Sequence, residues 1–346
     1  QYERLQMFVH AEALADNTTD LKDNELKAFI RLGSDCKNNY YEYEIPLTLT
    51  PAGTYSTNKT SDQEIVWPED NMFNFPFKLL TNLKLKRNQE KNRAGSSVTN
   101  LTPYYEYDPD NLANKVTIVG NPNLGEVDVI MVGIRNSSRD IKSGEVWVNE
   151  LRMKGINEDG GVAALANLGI NLSDFGTVNF AGRMETSGFG GIEQTVLERR
   201  LDDYYQYNFS SAFDLGKFFP EKAKVRFPVT YSYSQQISNP KYNPLDEDVL
   251  LSDALDAAET KKQKDSIKNI AQDLVVNKSF TMSNVKVGIT SKKPMPYDPS
   301  NFSVSYAYSE TDSKNPTTER AVEQNYKGSF VYDYSWNPKP VEPFAK

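Results

Sequence analysis

The chain has 346 residues, enough for two or three domains. Its 39 basic side chains against 47 acidic ones, a net charge of −8, argue against a general nucleic-acid binder, which needs net positive charge to displace counterions. A single Cys36 and a single His10 exclude an internal disulfide framework, any multi-cysteine metal site and most zinc sites.

The composition, with 20 Tyr and 17 Phe among plentiful Ser, Thr and Asn, is β-rich. No apolar run of about 18 residues encodes a membrane helix. The start at Gln1 does not read as a charged-then-apolar signal peptide. Barrel strands alternate, so they escape a hydropathy scan altogether.

Up to about residue 155 the strand candidates are unevenly spaced. They are 3–12, LKAFIRLG at 26–33, YYEYEIPLTLT at 40–50, KVTIVG at 115–120, EVDVIMVGIRN at 126–136 and EVWVNELRM at 145–153. The near-continuous apolar run 127–134 suits a core strand, and NPNLG at 121–125 reads as a turn. These segments predict a β-sandwich-like module over 1–155, with a core that includes Ile30, Ile45, Leu47, Ile118, Val129, Ile130 and Trp147. His10 lies on the strand face opposite Leu5, Met7 and Val9 and reads as an ordinary strand histidine. The Leu- and Lys-rich stretch 76–91 predicts a short helix, with Lys84, Lys86, Arg87, Lys91 and Arg93 on a solvated face.

GINEDGG at 155–161 reads as a hinge, and beyond it the pattern changes. Seven segments alternate with period two: 162–172, 177–187, 204–215, 224–235, 278–290, 301–310 and 325–336. One face carries Tyr205, Tyr207, Phe209 and Phe213, then Val225, Phe227, Val229, Tyr231 and Tyr233. It continues with Phe302, Val304, Tyr306 and Tyr308, and with Phe330, Tyr332 and Tyr334. The other face is small and polar: Gln206, Asn208, Ser210, Arg226, Thr230, Ser232, Ser303, Ser305, Lys327 and Ser329. The apolar phase of 278–290 slips near Ser283, which predicts a bulge. Pro228 cannot donate to a ladder and marks a bulge or an interruption of pairing.

Alternation alone does not separate a soluble sandwich from a membrane sheet, but length does better. Segments of about ten to twelve residues match a tilted bilayer crossing, against about five to six for an ordinary strand. The connections alternate in length. SDFG at 173–176, GKFFPEKA at 216–223, SKKPMPYDPS at 291–300 and the terminal NPKPVEPF are short, whereas 188–203, 236–277 and 311–324 are long. Outer-membrane barrels show this asymmetry, and the aromatic residues Phe218, Phe219, Tyr233 and Trp336 near strand ends fit an interface girdle. Residues 156–346 are therefore expected to be antiparallel strands of barrel wall, the aromatic set facing lipid and the polar set facing the lumen. A helical insertion over 245–274, with Leu251, Leu255, Ala258, Ile267, Ile270 and Leu274 as its stripe, needs a protein surface to dock on.

Little in the sequence promises catalysis. The carboxylate pairs Asp202–Asp203, Asp246–Asp248 and Glu158–Asp159 lie in predicted turns or loops. DPD at 108–110 lacks the rest of a calcium loop and reads as a turn. SGFGG at 187–191 lacks the strand and helix context of a dinucleotide site. No enzyme, cofactor or metal is expected.

Longer strings carry a resemblance. KAFIRLGSD, YYEYEIPLTLT, EVWVNELRM, FGTVNFAGRMETSGFGGIEQ, LGKFFPEK, SYSQQISNPKYNPLDEDVLLSDALDA and WNPKPVEPF resemble the SprA/Sov family over nearly the whole chain. The resemblance implies a part of the giant outer-membrane translocon of the Bacteroidetes type IX secretion system, linked also to gliding motility. It implies a very large single-chain transmembrane barrel whose lumen passes folded cargo. The implied partners are the remainder of that barrel, a small outer-membrane barrel that collects cargo, a periplasmic plug protein, the secreted cargo and the lipid bilayer. The implied location is the outer membrane; counting crossings from the short SDFG turn as periplasmic then puts the long loops and the 1–155 module at the cell surface. The competing reading is a surface-exposed β-rich protein that binds glycan or peptide.

Overall fold

A computed structural model describes residues 2–336 apart from 15–18, 292 and 294. The terminal NPKPVEPF connection lies outside the described residues. The chain is mainly β and divides into two compact units. Residues 1–159 and 241–267 form the first, and 160–240 with 268–346 the second.

The first unit opens with β1 (Tyr2–Ala13), β2 (Leu26–Gly33), β3 (Tyr40–Pro46) and the short helix α1 (Thr60–Val66). It continues with β4 (Phe73–Pro76), α2 (Phe77–Asn92), β5 (Tyr104–Tyr107), β6 (Lys115–Val119), β7 (Val129–Asn136) and β8 (Gly144–Ile156). Two antiparallel sheets result, ordered β4-β1-β8 and β5-β6-β3-β2-β7. Period-two alternation selects the buried face of each strand. Leu5, Met7, Val9 and Ala11 of β1 share one core with Ala28, Ile30 and Leu32 of β2 and Tyr41, Tyr43 and Ile45 of β3. Phe73 and Phe75 of β4, Leu80 and Leu83 of α2, and Val116 and Ile118 of β6 complete it. The Tyr43 and Phe75 rings stack at 4.1 Å.

Of the expected core, Ile30, Ile45, Leu47 and Ile118 are buried. Val129, Ile130 and Trp147 are not: they stand 41%, 50% and 52% exposed. The reason is position in the sheet. β7 and β8 are edge strands, each paired on one side only, so an apolar run that suits a central strand here lies at a border. The helix face is corrected too. Lys86, Lys91 and Arg93 are solvated, but Lys84 and Arg87 are 1% and 0% exposed. Helix α1 and strand β5 were not anticipated, because TSDQEIV has little apolar periodicity and YYEY is only four residues long. His10 is buried between the Trp67 and Trp147 rings, at 5.8 and 5.4 Å, with Nδ1 2.8 Å from the Val66 carbonyl.

The second unit contains β9 (Ala163–Asn171), β10 (Gly176–Glu185), β11 (Asp202–Asp214), β12 (Val225–Arg226) and β13 (Pro228–Pro240). An excursion then forms β14 (Tyr242–Asn243), β15 (Asp246–Leu250), α3 (Leu251–Ala257) and α4 (Lys261–Ala271). The chain returns in β16 (Asp273–Val287), β17 (Phe302–Asn315) and β18 (Thr318–Tyr332). The long strands make one antiparallel sheet, β18-β17-β16-β13-β11-β10-β9, in strict sequence order. The sheet is open, with β9 and β18 as its edges.

The predicted bulge is present: the β16–β17 register slips between Met282 and Val285, and Asn284 takes φ +51°. Pro228 splits the fourth segment into β12, which pairs β16, and β13, which begins at the proline itself. A first residue of a strand is where a missing donor is tolerated.

Two expectations fail. The long connection 311–324 is instead a tight hairpin, because β17 runs to Asn315 and β18 starts at Thr318. Polar residues hold this ribbon: Arg320 Nη2 lies 2.7 Å from Asp312 Oδ2, and the Asn315 carboxamide oxygen accepts the backbone N–H groups of Thr317 and Thr318. The insertion is not helical from residue 245. It begins with the β14–β15 pair, and Val249, Leu251, Ala254 and Ala271 are its buried apolar residues among those described, whereas Ile270 stays 38% exposed.

Removal of the Phe75 ring should cost the first unit about 3–5 kcal/mol, because it leaves a cavity beneath Tyr43. Trp147→Ala should cost less, about 1–2 kcal/mol, because its ring is half-exposed and covers His10. Denaturant titration of the two variants measures the difference.

Candidate functional site

Two features of the structure could carry function: the faces of the large sheet, and a buried polar cluster in the first unit.

The ladder registers decide which residues share a face of the sheet. One row runs Phe213, Val229, Met282, Tyr306 and Gly328. The next runs Ile170, Val178, Ser211, Tyr231, Phe280, Tyr308 and Tyr326. Further along, Phe302 pairs Tyr332 and Val304 pairs Phe330. The expected aromatic set of β11, β13, β17 and β18 therefore stands on one surface, joined by Ile170 of β9, Val178 of β10, and Phe280 and Met282 of β16. Val225 pairs Val287 on β12, Phe227 lies between β12 and β13, and Tyr334 lies beyond the end of β18.

The opposite surface is short and polar. One of its rows is Ser210, Ser232, Ser279, Ser309 and Asn325. Another is Asn208, Ser234, Asn277, Thr311 and Glu323. Gln206, Thr230, Ser303, Ser305, Lys327 and Ser329 fall on this surface, and Arg226 pairs Lys286 at its margin. Ser232 and Ser279 hydroxyls meet at 2.8 Å.

Neither surface is covered. Ala271 is the only hydrophobic side chain buried among the described residues of the second unit. Phe180, Tyr207, Tyr326 and Phe330 stand 46%, 51%, 64% and 66% exposed. The apolar band also crosses the rows obliquely. The row that holds Leu168, Phe180, Phe209 and Tyr233 continues into Lys278, Glu310 and Gln324, so it starts aromatic and ends charged.

The buried cluster joins two motifs that the sequence left apart, the NPNLG turn and the acidic run of LDEDV. Lys84 of α2 is the hub. Its Nζ lies 2.9 Å from Asp248 Oδ1 and 3.0 Å from Asp246 Oδ1, and donates to the Pro122 carbonyl at 3.0 Å. The Tyr41 hydroxyl donates to Asp248 Oδ2 at 2.7 Å, and the Leu124 N–H donates to the same oxygen at 3.2 Å. Asn121 and Asn123 donate to Asp246 and Glu247 at 3.3 and 3.1 Å. Asn121, Asn123 and Leu124 of the turn thus address Asp246, Glu247 and Asp248 in order. Burial, then the Asp248 charge, pushes the Tyr41 phenol well above its ordinary range, so it stays a donor. Arg87, also fully buried, donates to the Gly120 carbonyl, and burial lowers its pKa against the opposing pull of Tyr41, Asp246 and Asp248.

The other tempting motifs remain local. Asp108 accepts the Tyr43 hydroxyl at 2.5 Å and the Asp110 N–H at 2.9 Å, the work of a turn. Asp203 accepts the Ser187 N–H at 2.8 Å. No group of His, Cys, Asp or Glu among the described residues is arranged to hold a metal ion. Lys84, Tyr41 and the turn backbone were missed as partners of Asp246 and Asp248. The only signal was the helix position of Lys84, one residue after Leu83 on the buried side.

Residues 1–255 match the family model SprA_N, described as motility related/secretion protein. No curated protein matches the chain.

Tyr41→Phe removes a donor from a buried carboxylate, which should weaken docking of 241–257 by about 1.5–3 kcal/mol. Limited proteolysis should then cut within 241–257 sooner than in the parent, while the circular dichroism of the sheets is unchanged.

Proposed function

The chain belongs to the SprA family of motility-related and secretion proteins, and on that premise we propose that it is a non-catalytic segment of an outer-membrane protein-conducting translocon, that of type IX secretion. The observation that carries this reading is a sheet of long strands with one apolar and one polar surface, neither of them covered by protein. In water such a sheet must bury its apolar face. In a bilayer lipid covers that face, and the hydroxyl-rich face lines an aqueous lumen.

Three further features support the reading. Strands of 13 to 15 residues in β11, β13, β16 and β18 exceed ordinary sheet lengths and fit tilted crossings. The oblique apolar band is the stagger that strands tilted by about 35–45° impose on a barrel wall. The free edges β9 and β18 offer unpaired backbone that, at membrane depth, requires neighbouring strands. Those neighbours are the remainder of the barrel.

On this reading the turns 172–175, 215–224 and 288–301 face the periplasm. The segments 186–201 and 241–272 and the β17–β18 hairpin face the outside, together with the first unit, whose chain enters β9 at that same end. The accompanying proposals are a cargo-collecting small barrel, a periplasmic plug and folded cargo as partners. The glycan- or peptide-binding alternative needs Tyr207, Phe227 and Tyr306 enclosed between two sheets, and Tyr207 is 51% exposed.

Cysteines placed at Lys262 and Pro296, in a background without Cys36, test the topology in whole cells. A membrane-impermeant thiol reagent should label the first and spare the second; the reverse pattern would invert the topology. The faces are tested separately. Phe209→Lys should cost about 2–4 kcal/mol near the bilayer midplane and deplete folded protein from the outer-membrane fraction, whereas Ser210→Lys should leave it near the parent level. Equal depletion would remove the assignment of faces.

A further inference from the structure

We propose that Lys84 and Asp248 join in an intramolecular isopeptide bond, which ties α2 to β15 across 164 residues of sequence. The proposal is independent of the membrane reading, since every participant lies within the first unit.

The geometry carries it. Amine and carboxyl are both 1% exposed, and Nζ stands 2.9 Å from Oδ1. Enforced proximity of this kind replaces a dilute encounter with a very high effective concentration. Asp246, with Oδ1 3.0 Å from the same Nζ, is placed to carry protons. Tyr41 O–H and Leu124 N–H both point at Asp248 Oδ2, at 2.7 and 3.2 Å, where negative charge collects when a nucleophile adds to Cγ. The alternative, an ammonium and a carboxylate kept side by side out of water, carries a desolvation penalty that the amide does not.

The balance closes without a co-reactant. Asp246 takes a proton from the Lys84 ammonium, and the freed lone pair attacks Cγ of Asp248. The Nζ–Cγ bond forms, and the developing charge on Oδ2 is held by Tyr41 and Leu124. The Cγ–Oδ1 bond breaks, and Oδ1 leaves as water with two protons from Nζ, relayed by Asp246. One positive and one negative charge vanish together. Asp246 ends as the carboxylate it began as, with buried Arg87 still within electrostatic reach. The remaining Nζ–H keeps Asp246 or the Pro122 carbonyl as its acceptor. A chain with the single Cys36 has no disulfide with which to make such a staple.

Mass spectrometry of the whole protein, digested with trypsin after denaturation, reads the result directly. The peptide with Lys84 should appear joined to the peptide with Asp248, lighter than their sum by one water. Lys84→Arg, which keeps the charge, and Asp246→Ala should each yield the two peptides unlinked. Recovery of both peptides in linear form from the folded parent protein, with Lys84 open to acylation after denaturation, would overturn the proposal whatever the variants do.

Discussion

A β-strand sends successive side chains to opposite faces, and nothing in the second unit escapes that rule. Strands paired in sequence order with few slips turn a local alternation into two continuous surfaces. Many rows of the ladder then set like against like: Ser210, Ser232 and Ser279 on one side, Tyr231, Phe280 and Tyr308 on the other. A one-residue slip would exchange the surfaces. This explains why the irregularities sit where they do. The slip at Asn284 and the break before Pro228 are near one end of their strands, where the change of phase affects few residues.

The first unit obeys the same alternation with a different outcome. There the apolar faces meet across two sheets and close with α2 over a buried core. The same chain therefore holds two solutions to one problem. The first buries its apolar faces in protein, and the second leaves its apolar face for the surroundings to cover. The charged hub around Lys84 lies at the margin of that core. Buried ions are poor sources of stability but selective about their partners. With Lys84 set against two carboxylates and a carbonyl, and the NPNLG turn set against the acidic strand in order, few other placements of β15 satisfy every group.

Much of this was legible in residue order, and most of the parts that were not share a cause. Period two reads directly from sequence, so the strands of the sheet, the bulge near Ser283 and the interruption at Pro228 could be found without coordinates. So could the inward set Ile30, Ile45, Leu47 and Ile118. What periodicity cannot supply is the neighbour. Val129 and Trp147 look like core residues until their strands prove to be edges. Lys84 and Arg87 look like surface residues until an acidic segment over 160 positions away covers the first of them. The stretch 311–324 looks like a loop because it is polar, yet the cross-strand Arg320–Asp312 ion pair and an Asn turn make polar residues as good a ribbon as apolar ones. These failures concern a partner more often than a local conformation; helix α1, strand β5 and the hairpin at Asn315 are the local ones.

The first unit is discontinuous in sequence, since residues 241–267 complete a body begun by residues 1–159. That has a consequence for assembly in time. Along the chain β1 to β8 come first, but the acidic strand that matches Lys84 follows only after β9 to β13. Until then Lys84 and the turn at 121–125 wait without their partners, and the early sheets remain an unfinished intermediate with high-contact-order pairing still to come. Completion of the first unit thus depends on a segment that lies beyond five strands of the second. A chain truncated before residue 241 would accumulate the sheets of the first unit with a charged, unsealed flank, a form suited to recognition by folding chaperones and proteases.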